Sequence, residues 1–338
     1  MDYPRSIFWH IKISRGRRPY NRPVAPTPTV ELDAQYRLLR EEAGHLRRSG
    51  RVVIEVRGPD GAEFLQGQLT NEIEGLEPGR GCYAALLDRK GKMRADMRVL
   101  RLEADLIWVE TAAATADEVE RHLETYRIGR EVEIERRDEL SVISLIGPRS
   151  AELLGGKPLG AEYSHGIERI AEHDLRVVSS DGGADLIGTA EALAAAADQL
   201  SAAGAEVVSE EAVAIVRVEA GRPAFGAEMG NDTLTAEAGI NDRAVNFKKG
   251  CYIGQETVAR LHYKGKPNRH LRRLISPTPL QTGVPVTLGE KQIGVVGTAV
   301  ISPARGPLAL AILRREAEPG DEVLVDGTTA ARVEEIGA

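Results

Sequence analysis

The sequence predicts an α+β protein: a body in which strands and helices alternate, followed by a small antiparallel β-barrel or sandwich. Two observations carry this. From Glu31 to about Val218, apolar residues recur first at helical and then at strand spacing, segment after segment. From about His270 onward, six short apolar runs are separated by Pro or Gly, the spacing of a small all-β unit.

The elements follow in order. Residues 1–29 hold Arg15, Arg17, Arg18 and Arg22, then Pro23, Pro26 and Pro28. Such a stretch buries too little apolar surface to offset ordering entropy, so it reads as a disordered extension. Leu32, Tyr36, Leu39 and Ala43 mark a helix, and Val52–Val56 a strand. Gly58-Pro59-Asp60-Gly61 is a turn, with Asp60 expected to cap a helix through Phe64, Leu65 and Leu69. Cys82–Leu87 and Met93–Leu102 flank Gly91-Lys92 as a strand pair, and Ile107–Glu110 continues the sheet. Thr115 and Asp117 open a helix through Val119, Leu123 and Tyr126. Strands are expected at 132–135, 142–146, 176–178 and 215–218, and helices at 151–154 and 191–202. The tail strands are expected at 272–275, 286–288, 292–297, 308–313, 322–325 and 330–333. The polar stretch Lys264–Asn268 divides the chain into a body, 30–267, and a C-terminal domain, 268–338.

Length and composition narrow the function. A chain of 338 residues exceeds one ordinary core, and 42% hydrophobic with 28% charged residues is globular composition. No apolar run approaches the roughly 18 residues that span a bilayer, so no membrane partner is expected. Two cysteines, Cys82 and Cys251, make no disulfide framework, which points to a reducing cytoplasm. The net charge of −7 argues against general nucleic-acid binding, and no direct DNA binding is expected. Yet between Lys248 and Arg273 stand eight Lys or Arg against one acid, Glu256. Such a stretch is either a solvated basic face or the seat of an anionic ligand or partner.

Cys251 is the best chemical candidate. Lys248 and Lys249 precede it, and Arg260 and His262 follow. Positive charge favours the thiolate, the reactive form, and Gly250 and Gly254 allow a tight turn that exposes the sulfur. The alternative is a buried, inert thiol, which is how Cys82 reads in its apolar run. The seven histidines form no ligand-spaced pair with the cysteines, so no metal site is expected. A cluster would want about four ligands, so the chain is not expected to hold an iron–sulfur cluster alone. Gly-rich phosphate loops are absent.

Four patches carry a family resemblance. Phe64-Leu65-Gln66-Gly67-Gln68-Leu69-Thr70-Asn71, Gly91–Val99, Arg217-Val218-Glu219-Ala220-Gly221 and Lys249-Gly250-Cys251-Tyr252-Ile253-Gly254-Gln255-Glu256 stand in the order of the T-protein superfamily. The last patch is the most specific. It resembles the signature of the YgfZ-type folate-binding proteins, relatives of the glycine-cleavage T-protein (aminomethyltransferase). The resemblance spans residue 31 to the C-terminus. It implies a three-domain cloverleaf ring of two interleaved α/β subdomains and a C-terminal β-barrel, with tetrahydrofolate or a one-carbon derivative in the middle.

By position, Asp96 matches the T-protein's catalytic aspartate, and Arg217 an arginine lining the folate site. Asp181 stands where the T-protein has its pterin-binding glutamate, in a segment lacking the family's Gly-Tyr-Thr-Gly-Glu. Lys249 and Tyr252 join the folate-binding candidates through the signature. Each has a plainer reading. Asp96 can pair with Arg94 or Arg98 at the surface, Arg217 with Glu219 along a strand, and Tyr252 can be core. The resemblance implies a folate-dependent factor for assembly or repair of iron–sulfur clusters, including those of tRNA-modifying radical enzymes. Cys251 would be its working thiol, and iron–sulfur proteins or their assembly factors its partners. The alternative is an aminomethyltransferase with Asp96 as acid and base, in which Cys251 has no part.

Overall fold

The structure is a computed structural model and describes residues 31–157 and 159–336; the expected extension at 1–29 lies outside them. Helix α1 (Leu32–Glu41) packs Tyr36 and Leu39 inward and leads to strand β1 (Gly44–Arg47). A first sheet follows from β2 (Arg51–Arg57), β3 (Arg80–Leu87), β4 (Met93–Glu103), β5 (Leu106–Ala112) and β6 (Glu133–Arg136), in the order β3-β4-β5-β2-β6. Helices α2 (Gly61–Gln68) and α3 (Ala113–Tyr126) join its strands. Leu65, Leu69, Ile73, Val119 and Leu123 bury against Ile54, Met97 and Val109 in its core. Asp60 stands at the N-terminus of α2 but does not cap it. Its Oδ2 accepts from Glu131 N at 2.9 Å instead, because its backbone is already helical (φ −86°, ψ −1°).

The second sheet interleaves with the first. Strands β7 (Leu140–Ile146), β8 (His165–Ile170), β9 (His173–Ser180), β10 (Gly183–Thr189) and β11 (Glu206–Val207) take in β1 from before the first sheet, in the order β11-β1-β7-β10-β9-β8. Short α4 (Ser150–Leu153) and α5 (Ala190–Ala202) belong to this unit. Residues 210–219 were expected to be a strand at 215–218 and form α6 (Glu210–Glu219) instead. Ser209 caps it, its Oγ accepting from Ala212 N at 3.1 Å, and Glu210 and Glu211 sit in the first turn, where the helix dipole favours acids. That local start outweighs the β-branched run Ile215-Val216-Arg217-Val218.

After α6 the chain returns to the first sheet. Ala85, Leu87 and Met93 pack with Met229, Ile240, Tyr252 and Val258 from this return, which includes α7 (Asn241–Ala244) and α8 (Gln255–Lys264). All six tail strands form: β12 (Arg269–Ile275), β13 (Pro285–Leu288), β14 (Lys291–Ser302), β15 (Gly306–Arg314), β16 (Glu322–Val325) and β17 (Thr329–Glu334). They close a barrel in the order β12-β15-β14-β13-β16-β17. Closure leaves no free sheet edge. No helix among the described residues is long and apolar enough to cross a membrane.

Candidate functional site

Asp96 and Arg98 are two residues apart on β4 and so share a face of the sheet. Tyr83 on β3 is directly opposite Arg98. Together with Arg48, Arg51, Glu110, Ser144, Glu162, Tyr163, Ser180 and Asp185, these residues wall a cavity of about 210 Å³ between the two sheets. The neighbouring arginines do not neutralise Asp96. Arg94 turns to Asp88 (3.3 Å), and Arg98 runs across to the second sheet. Asp96 Oδ2 instead accepts from the Tyr83 hydroxyl at 2.7 Å, and Oδ1 has no hydrogen-bond donor among the described residues. Burial, and after it the Asp96 charge, pushes the Tyr83 phenol well above its ordinary range, so Tyr83 stays a donor.

A buried chain of charges forms the floor. Arg51 and Arg98 both hold Glu110, and Arg98 also holds Asp185, which accepts from Ser144. Burial alone would raise the Glu110 carboxyl; the two guanidiniums outweigh it and bring it down to about 2. Arg98 thereby ties the first sheet to the second. Arg243 of α7 braces three of the walling residues from outside the lining. It donates to Glu162 at 2.6 Å and to the Tyr163 hydroxyl at 2.9 Å and lies 5.2 Å over the Tyr83 ring. Its Nε is buried without a hydrogen-bond partner among the described residues.

The Lys-Gly-Cys-Tyr segment divides its labour by burial. Lys249 was expected beside the Cys251 thiol or the folate; its ammonium is turned into the body instead. It is only 9% exposed, and its Nζ donates to the carbonyls of Gln66 (2.6 Å), Leu69 (2.7 Å) and Asn71 (2.8 Å). An ammonium has three donors, and all three are spent on the end of α2, where a positive charge suits the helix dipole. Burial lowers its pKa to about 8. Tyr252 takes the core place of its plainer reading, packed with Met93 and Ile240, its ring 5.1 Å from Lys249 Nζ. Gly254 is left-handed at φ +85°, and a Cβ there would meet Asp88 O at 2.5 Å, so only glycine fits. Between these two fixed points Cys251 is exposed. Cys82 is the opposite case: burial pushes its thiol up to about 12.

The structure moves two further candidates out of the cavity wall. Arg217, now on α6, donates to Glu228 (2.9 Å), Arg222 O (2.7 Å) and Thr298 Oγ1 (2.6 Å), tying the helix to barrel strand β14. It does not pair with Glu219, which takes the Tyr36 and Ser302 hydroxyls. Asp181 lies in the turn after β9, half exposed, paired with Arg222 at 2.7 Å. Neither is among the residues walling the cavity. Tyr83, Arg98, Glu110, Tyr163, Asp185 and Arg243 were missed. Period-two alternation along β4 could have found Arg98, and Asp185 lies in the same Asp-Gly-Gly-Ala-Asp segment as Asp181. Among the described residues, no group of three His, Cys, Asp or Glu could hold a metal ion.

Two interleaved sheets and a barrel, with a tyrosine- and carboxylate-walled cavity between the sheets, define an α+β protein built like the glycine-cleavage T-protein. The chain belongs to the GCVT N-terminal domain family, whose model matches residues 20–249. The aminomethyltransferase of Mycobacterium leprae is 28% identical over 288 residues, 80% of this chain and 78% of that protein. A tRNA-modifying protein YgfZ from Klebsiella pneumoniae is 26% identical over 220 residues, 64% of this chain and 66% of its own. The crystal structure of glycine cleavage system aminomethyltransferase T from Bartonella henselae superposes with a TM-score of 0.80 at 25% identity, covering 90% of this chain and 88% of that one.

Proposed function

We propose that the protein is a tetrahydrofolate-binding factor supporting iron–sulfur cluster assembly or repair, including clusters of tRNA-modifying enzymes, with Cys251 as its working thiol. The observation that carries this reading is the Cys251 turn. A buried lysine on one side and an obligatory glycine on the other hold one exposed sulfur at the surface. A core alone has no need of such a turn. Segment 243–249 also links it to the cavity, since Arg243 touches Tyr83 and Tyr163 while Lys249 anchors the same stretch below.

The cavity residues fit the pterin end of a folate. Tyr83 and Tyr163 offer ring faces, and Asp96 Oδ1 and Glu162 offer acceptors for an amidine-like edge. At about 210 Å³ the cavity is smaller than the roughly 300–1,000 Å³ of whole-ligand sites, so the head group alone would enter. Bound tetrahydrofolate would supply a reduced pterin able to carry one-carbon units. Asp96 would orient it by accepting at Oδ1, with Tyr83 fixing the other oxygen. That open oxygen also favours a second reading, aminomethyl transfer with Asp96 as acid and base.

Titration calorimetry with tetrahydrofolate tests the shared premise. Saturable binding is expected, weakened roughly tenfold or more in Asp96→Asn, the scale of one charge-assisted hydrogen bond. Wild-type protein that binds no tetrahydrofolate would end both readings.

A further inference from the structure

The protein is acidic overall, yet one face is not. The β3–β4 turn lies directly against the start of α8: a Cβ on Gly91 would stand 2.8 Å from Thr257 Cβ, and one on Gly254 would stand 3.1 Å from Gly91 Cα. This contact brings the turn against the start of α8, so that three basic segments lie near the Cys251–Gly254 stretch. Arg89 and Lys90 come from the turn, Lys248 from the stretch before the cysteine, and Arg260, Lys264 and Lys266 from α8 and its exit. All six are exposed, and none makes an ion pair among the described residues, whereas most arginines of the body are paired. Arg260 and Lys264 follow Thr257 at positions three and seven, so they continue along the side of α8 that meets the turn. Asp88, the acid of the turn, is spent on the amides of Lys90 and Lys92 and on Arg94. Glu256 is the one acid on α8.

Aromatic rings interrupt the charge. Phe247 stacks on His262 with centroids 3.7 Å apart, and Tyr263 meets His262 edge-on at 4.8 Å while 66% exposed. Only Val258 of α8 is buried, so most of this short helix faces outward. Unpaired cations beside an exposed ring on a stacked platform suit a polyanion that also carries flat bases. Phosphates take the charges, and an unstacked base takes the ring. An acidic protein surface would use the charges but has no need of the platform.

We infer that the face formed by the β3–β4 turn and α8 docks single-stranded segments of RNA, such as a tRNA loop, beside Cys251. This deepens the proposed function and rests on its reading of the Cys251 turn as the working surface. It does not depend on folate occupying the cavity.

The test is fluorescence anisotropy of the full chain with labelled bulk tRNA across a salt series. Lys264→Glu with Lys266→Glu should weaken binding at least tenfold and reduce the slope of log K against log salt by roughly 1.4–1.8, the loss of two phosphate contacts. Tyr263→Ala should cost about tenfold at unchanged slope. Arg315→Glu with Arg332→Glu makes the same charge change at exposed barrel positions and should leave binding within about twofold. The inference is overturned if wild-type protein binds no tRNA at low salt, or if the barrel variant loses as much as the α8 variant. It is also overturned if a poly-glutamate peptide binds as well as tRNA and Tyr263→Ala changes nothing, which would make the face a site for acidic proteins. Tetrahydrofolate titration of the wild-type protein separates the two proposals: wild-type protein that binds folate but no RNA sinks this inference alone.

Discussion

Lys248 and Lys249 are chemically identical neighbours, and the structure gives them opposite roles. Lys249 saturates three carbonyls at the end of α2, while Lys248 is exposed. Lys249→Met keeps most of the side-chain volume and removes every donor. Three carbonyls are then left short of a partner, at about 1–3 kcal/mol each. Against this, the buried ammonium's own desolvation cost, several kcal/mol, disappears. The net loss is about 3 kcal/mol, which for a body of this size is a fall in Tm of about 6–12 °C. Lys248→Met should stay within about 0.5 kcal/mol, as surface substitutions do. Thermal melts followed by circular dichroism compare the two. If Lys249→Met melts within about 2 °C of Lys248→Met, the lysine is not the anchor described here.

Two more outcomes follow from buried charges. The Glu110 carboxyl ionises near 2 in the fold against 4.5 when free, so its stabilisation is present above pH 4.5 and lost as pH falls from 4.5 toward 2. It is on the order of 3 kcal/mol; urea melts should show Glu110→Gln less stable at pH 7 and flatter across that window, and equal slopes would refute the assignment. Arg217→Ala strands the Glu228 carboxylate, whose side chain is fully buried, at a cost of roughly 3 kcal/mol. Adding Glu228→Gln should recover part of that loss, and a strictly additive double variant would show the pair is not coupled.

The parts of the fold set by local pattern were legible. Short apolar runs set off by Pro or Gly marked all six barrel strands, because each strand is brief and ends in a turn. Helix α6 was misread because Ile215–Val218 is a β-branched run, although Ser209-Glu210-Glu211 carried the start signal. The cavity was legible only at Asp96. Its other charges come from β2, β4, β5, β10 and the loops before β2 and β8, and nothing near Glu110 in sequence says that Arg51 and Arg98 will close on it. Cys251 could be singled out, but the lysine expected to activate it faces the other way. Burial, which separates Lys249 from Lys248, is a property of the fold and not of the dipeptide.

If the protein acts through Cys251, with folate binding necessary but insufficient, the effect appears in iron–sulfur enzyme activity, or tRNA thiolation, in a strain lacking its own relative and supplied with variants of this protein. Cys251→Ala, folded and still binding tetrahydrofolate, is predicted to fail to restore that activity, while Asp96→Asn retains a larger share. Full restoration by Cys251→Ala, with loss of aminomethyl transfer in Asp96→Asn, would contradict the claim and leave the transferase reading standing.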